Sequence, residues 1–195
     1  MILAHKIELK PTIEQVNYLT KACAVDRFTY NWALGRYKEQ LKLYQESKND
    51  EDRPNINKLK KEFNKIKYEQ FTWVTEVTKC ASEQAFSNLK KAFSNFFNKK
   101  LKSKFPKFHN KDKKNSFYIS NDKFKIEKDL IQIPKLGMVK IKEQLKFSGK
   151  IMSGTVSKSG SKWFVSISVD ISTDEKQVSF FYQEKEFFMV STKNT

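Results

Sequence analysis

Glycine is scarce, with five residues in 195, at 35, 137, 149, 154 and 160, too scattered to form a phosphate-cradling loop. Cysteine is scarcer still. Cys23 and Cys80 sit among helix-compatible residues with no C-x-x-C spacing and no histidine beside them, which excludes a disulfide framework and a zinc ribbon and leaves two reduced, buried thiols. Two histidines, His5 and His109, are too few for a catalytic triad or a multi-histidine metal centre unless carboxylates carry it. No apolar run approaches the ~20 residues of a membrane span, and Met1-Ile2-Leu3-Ala4 turns polar too early for a signal peptide. The expectation is a cytosolic protein with no membrane partner.

What is present is positive charge. Thirty-eight Lys and Arg face twenty-two Asp and Glu, for a net +16, and since arginine occurs only at 27, 36 and 53, lysine supplies nearly all of it. Such a balance favours a polyanion partner. Hydrophobic residues at 38% and aromatics at 14%, seventeen of them Phe, are enough to bury a core and argue against disorder.

Period-two alternation over 3–9 reads as a half-buried strand ended by Pro11. Thr12 and Gln15 form a capping box opening a helix through about Cys23. A second helix is expected over 26–45, an exposed connection over 46–54, and a third helix over 55–67. A fourth, capped by Thr75, carries Val77, Ala81, Ala85, Leu89, Ala92, Phe93 and Phe96 on one stripe. Short strands follow at 117–120, 124–126, 130–133 and 139–141, then a hairpin of 150–158 and 162–170 about Ser159-Gly160-Ser161. The fold class expected is α+β, a small antiparallel oligonucleotide-binding-like β-barrel with a four-helix insertion after its first strand. The expected division is 1–11 first barrel strand, 12–98 helices, 99–170 the rest of the barrel and 171–195 a tail.

The charge is concentrated. Between Ser87 and Phe117 stand Lys90, Lys91, Lys99, Lys100, Lys102, Lys104, Lys107, Lys111, Lys113 and Lys114 against one acid, Asp112. Phenylalanines alternate with them, and lysines that neutralise phosphates beside rings that stack on bases are the makings of a nucleic-acid site. Phe93 and Phe96, on the helical stripe, read as core; for Phe105 and Phe108, beside Pro106 in a basic loop, core and base-stacking readings both stand. The carboxylates give no matching constellation. Glu76 and Glu83 are seven apart with Lys79 between, and Asp170 and Asp174 lack a third ligand, so a helix face and a solvated turn are the readings. No metal, cofactor or catalytic residue is expected.

Several pieces stand in a fixed order along the chain: Lys10-Pro11-Thr12 with Gln15, Arg27-Phe28-Thr29-Tyr30-Asn31-Trp32-Ala33-Leu34, Trp73-Val74-Thr75-Glu76-Val77, Gln84-Ala85, Leu89-Lys90-Lys91-Ala92-Phe93 and Asn95-Phe96-Phe97. Phe105-Pro106-Lys107-Phe108, Ser116-Phe117, Ile133-Pro134-Lys135-Leu136-Gly137 and Lys162-Trp163 continue the order. Together these pieces resemble the N-terminal half of TnpB, the transposon-encoded RNA-guided DNA nuclease related to type V CRISPR effectors. The resemblance implies a wedge barrel interrupted by a helical recognition lobe, gripping a guide RNA and reading a short motif beside the DNA target. By position it implies that Lys79, Glu83, Ser120 and Asn121 touch that duplex, with Glu83 standing where an uncharged polar residue is expected.

The family's nuclease half opens with Asp-x-Gly after the strand ending near Val169 and inserts a zinc ribbon; here no glycine follows Gly160, and residues 171–195 do not match. The expectation is therefore a nuclease-deficient, non-enzymatic protein of bacterial or phage origin, nucleoid-associated, whose partners are structured RNA and double-stranded DNA. Alternatives are an inhibitor or accessory subunit docking on a related RNA-guided effector, and a truncated transposon product without independent function.

Overall fold

The computed structural model describes residues 1–123 and 125–171. Strand β1 (Ile2–Lys10) leads into α1 (Ile13–Ser47), α2 (Ile56–Gln70) and α3 (Lys79–Phe97). Six strands follow: β2 (Ser116–Ser120), β3 (Lys125–Glu127), β4 (Leu130–Ile133), β5 (Gly137–Ile141), β6 (Lys150–Ser159) and β7 (Lys162–Asp170). The α+β class stands, with three α-helices among the described residues rather than four.

The first two expected helices are one. Nothing between Cys23 and Asp26 breaks a helix, and α1 runs 35 residues, about 50 Å. Asp26, a residue type that often opens helices, does not cap; its carboxylate is buried and turned toward the Lys114 ammonium at 4.0 Å. The Thr12–Gln15 capping box is present in both directions. The last helix starts later than expected. Thr78, not Thr75, caps α3, because residues 72–76 close a 3-10 turn in which the Thr75 hydroxyl donates to the Thr72 carbonyl. Val77 is buried in the extended link between them.

The expected barrel takes the form of one antiparallel seven-stranded sheet in the order β2-β6-β7-β1-β5-β4-β3. The opening strand is central to it. β1 pairs with β7 from Ile2↔Asp170 to Leu9↔Trp163, and at Leu9 it hands the sheet over to β5 through Leu9↔Ile141. Trp163, Val165, Ile167 and Val169 are buried on one face of β7, as the alternation predicted. Gly160, at φ 58°, takes the first of two central positions in the β6–β7 turn, where a type II′ hairpin needs glycine. Gly149 is required for space: at φ +145°, a Cβ there would collide with the Asp170 carbonyl oxygen.

One core runs through both layers. In the helical part Phe63 is fully buried and meets Trp32 at 5.0 Å, Phe86 at 5.6 Å, Phe71 at 6.1 Å and Phe28 at 6.4 Å between ring centroids. Helix α1 is also tied to the sheet's far corner. The Tyr18 hydroxyl donates to the Pro134 carbonyl (2.6 Å) and accepts from the Thr78 amide (2.9 Å), and the Gln15 side chain donates to the Met138 carbonyl (2.8 Å). Burial pushes the Tyr18 phenol up to about 12, so it stays a donor. Phe124, at the start of the strand expected over 124–126, lies outside the described residues, as do Asp174 and the rest of the tail from 172 to 195. Cys23 and Cys80 are both buried free thiols, and desolvation raises Cys23 to about 12.

Candidate nucleic-acid interface

Between α3 and β2 the chain crosses α1 as a strap, residues 98–115, with little regular structure beyond a 3-10 turn at Lys99–Leu101. Lacking a ladder of its own, it borrows partners from α1. The Asn31 carboxamide donates to the His109 carbonyl and accepts from the His109 amide, both at 2.8 Å, in the manner of a single strand pairing. Arg27 donates to the Lys114 carbonyl (3.1 Å), and Tyr30 stacks on the His109 ring at 3.8 Å and 13°. Burial, then Lys114 and Arg27, hold His109 below its ordinary value, so the stacked imidazole is neutral. Burial raises Asp26 to about 6, outweighing Lys114 and Arg27, because an ammonium 4.0 Å away makes no hydrogen bond to the carboxylate.

This anchoring fixes the direction of the lysines. Lys90 and Lys91 on α3, and Lys99, Lys100, Lys102, Lys104, Lys107, Lys111 and Lys113 on the strap, are exposed, whereas Lys114 is partly buried over Asp26. The two phenylalanines left open by sequence separate. Phe105 packs edge-on against Phe93 (5.4 Å) and Phe96 (5.3 Å), at the border of the core. Phe108 is 54% exposed, with the Lys38 ammonium 4.5 Å from its ring centre.

Of the other four residues named from the sequence, the structure brings together Glu83 and Ser120, where α3 faces the end of β2; Lys79 lines a different groove and Asn121 lines neither. Lys79 and Glu83 are exposed one turn apart on α3, and Ser120 ends β2 just before Asn121. Glu83 and Ser120 line one cleft of about 210 Å³ with Lys60, Gln84, Ser87 and Tyr118. The Ser120 hydroxyl donates to Asp122, which also pairs with Lys123 at 2.6 Å. That partnership, with Cys80 and Glu83 adding to it, holds Lys123 above its ordinary value.

Lys79 lines a neighbouring groove of about 310 Å³ with Lys67, Lys123, Lys135 and Tyr68, and no carboxylate lines it. Four ammonium groups thus surround a groove at the N-terminus of α3, that of Lys123 paired with Asp122 and those of Lys67 and Lys135 hydrogen-bonded to Asn64 and to the Thr75 carbonyl. Sequence reading missed Lys60, Lys67, Tyr68, Lys123 and Lys135. Lys123 and Lys135 reach the groove only through sheet topology, and the Lys67-Tyr68 pair at the end of α2 was the one local signal. Among the described residues no three His, Cys, Asp or Glu side chains are placed to hold a metal ion, and no helix is long and apolar enough to cross a membrane.

Two comparisons say what this chain is similar to. Residues 1–46 match a family described as a helix-turn-helix domain, that of OrfB proteins of the IS605 type. Over 170 residues, 86% of this chain, the sequence is 26% identical to "Putative RNA-guided DNA endonuclease InsQ" of Escherichia coli (strain K12). The chain covers 40% of that relative's length. The family's description and the geometry differ in one respect: the matched residues form a strand and one unbroken helix, with no turn between two helices.

Proposed function

We propose that this chain is a nuclease-deficient, TnpB-like nucleic-acid-binding protein, which holds a structured, guide-type RNA along the lysine strap and contacts duplex DNA where α3 meets β2. The observation that carries the reading is the strap itself. Seven exposed lysines, from Lys99 to Lys113, stand on a strap pinned to α1 at His109 and Lys114 by Asn31, Tyr30 and Arg27, with Lys90 and Lys91 preceding them on α3, and that anchoring reduces the ordering left for a ligand to impose. The groove of Lys67, Lys79, Lys123 and Lys135 supplies a second, cationic contact suited to a duplex backbone, with Glu83 and Ser120 in the neighbouring cleft, and Asn121 next to Ser120 in the chain, to meet base edges.

The relative's printed name describes an RNA-guided DNA endonuclease, and binding without cutting is the part of that activity assigned here. No glycine follows Gly160 in these residues, so none of them forms the Asp-x-Gly that opens the family's nuclease half, and the binding steps are what they are proposed to carry. Bound to its target in the cytosol, such a complex represses by occupancy. The accessory-subunit alternative rests on the tail, of which residues 172–195 lie outside the described residues. The test is purification from the native host at moderate salt without nuclease treatment, followed by sequencing of the bound nucleic acid. One discrete structured RNA with a variable end supports guided binding; a smear of ribosomal and messenger fragments overturns it.

A further inference from the structure

Away from the strap's anchor and from the α3–β2 junction, a third cleft of about 330 Å³ opens between α1, the start of α2 and the end of α3. Its floor is a run of nearly parallel rings: Tyr37 on Phe93 at 4.0 Å and 26°, then Phe93 beside Phe97 at 6.1 Å and 21°. The first two are buried, and Phe97 is 64% exposed, so the run ends on a ring in contact with water. The rim is polar and cationic. Lys90 and Asn57 line it, no carboxylate does, and Arg53 stands close enough to Tyr37 to act on its phenol.

An exposed aromatic face beside cations, with no acid among the described residues that line it, matches a planar ring carrying a phosphate more closely than an apolar partner. A paired base is already stacked on its neighbours, so only an unpaired one can reach Phe97. We propose that this cleft receives one unpaired nucleotide of a single-stranded RNA segment, its base stacked on Phe97 and its phosphate held by Lys90. The inference rests on the nucleic-acid reading above and adds to it a second kind of contact, one selective for single strands.

The test is fluorescence anisotropy of the full chain with a labelled oligouridylate and with a blunt RNA duplex, for the wild type, Phe97→Leu and Phe97→Trp. Leucine keeps the apolar area and removes the ring. Phe97→Leu is expected to weaken oligouridylate binding about five-fold or more while leaving the duplex within about two-fold. Phe97→Trp is expected to retain the oligouridylate, with its indole emission quenched on binding. Equal loss on both ligands, or no loss on either, overturns the inference while leaving general nucleic-acid binding intact. A wild type that binds neither RNA overturns both readings. Matching thermal transitions show that the variants are folded.

Discussion

Asn31 and His109 lie 78 positions apart, and the side chain of one satisfies both backbone polar groups of the other. A carboxamide is the smallest group that offers a donor and an acceptor at the spacing of a peptide. Asn31→Ala leaves that amide and carbonyl without partners, and is expected to cost about 1–3 kcal/mol of stability in urea titration. Hydrogen exchange at the His109 amide should accelerate well beyond the global change. An unchanged rate would mean that the strap is held elsewhere.

Under the strap, Asp26 and His109 respond to pH in opposite senses. Asp26 is raised by burial from its ordinary value of 3.8 to about 6, so the folded state holds its proton more tightly, and stability falls as pH rises across that interval. His109 is held below 6.5, so the unfolded state binds its proton more tightly, and stability falls as pH drops through the range below 6.5. Asp26→Asn removes the first effect alone. It is expected to be more stable than wild type by roughly 3 kcal/mol well above pH 6 and to lose stability monotonically on acidification, as thermal melts from pH 4 to 8 would show.

Electrostatics of the strap can be read through salt. Replacing Lys99, Lys100, Lys102 and Lys104 with glutamine should lower the slope of log K against log salt by roughly 0.7 for each phosphate of a single-stranded RNA that is no longer neutralised. Slopes that match wild type would place the RNA elsewhere on the surface.

Glu83 is a carboxylate in a cleft otherwise lined by Lys60 and polar groups. Glu83→Gln is expected to tighten duplex DNA binding about two- to five-fold in a gel-shift titration, the size of one screened like-charge contact. Weaker binding would instead mark Glu83 as an acceptor for a base amino group.

Phe63 joins the rings of α1, α2 and α3 without solvent contact. Phe63→Ala is expected to cost about 3–5 kcal/mol, measured by chemical denaturation.

Much of this was legible because local rules decide it. The alternation in β1 and β7, the Thr12–Gln15 box and the Ser159-Gly160-Ser161 turn each encode their own geometry, and each appears as read. The failures share one cause, the effect of a distant partner. Asp26 looked like a helix start because its partner, Lys114, is 88 positions away, and Thr75 looked like a cap because the 3-10 turn that takes its hydroxyl has no periodic signature. The motif fragments 27–34 and 105–108 were read as separate pieces, yet Asn31 and Tyr30 in the first hold His109, directly after the second. Of the groove of four lysines only the Lys67-Tyr68 pair left a local signal, since Lys135 lies 68 positions further along the chain.

The position of β1 sets a timetable for synthesis. Among the described elements this strand is made first, yet its full-length neighbour β7 is made some 150 residues later, after α1 to α3 and five other strands. Helices α1 to α3 can assemble their Phe63-centred core from nearby segments while translation continues. The sheet must wait with Ile7 and Leu9 uncovered until Trp163 and Val165 emerge. Messages that end before codon 162 therefore yield a chain with a folded helical part and an open central strand, a substrate for chaperones or proteases rather than a smaller working version of the protein.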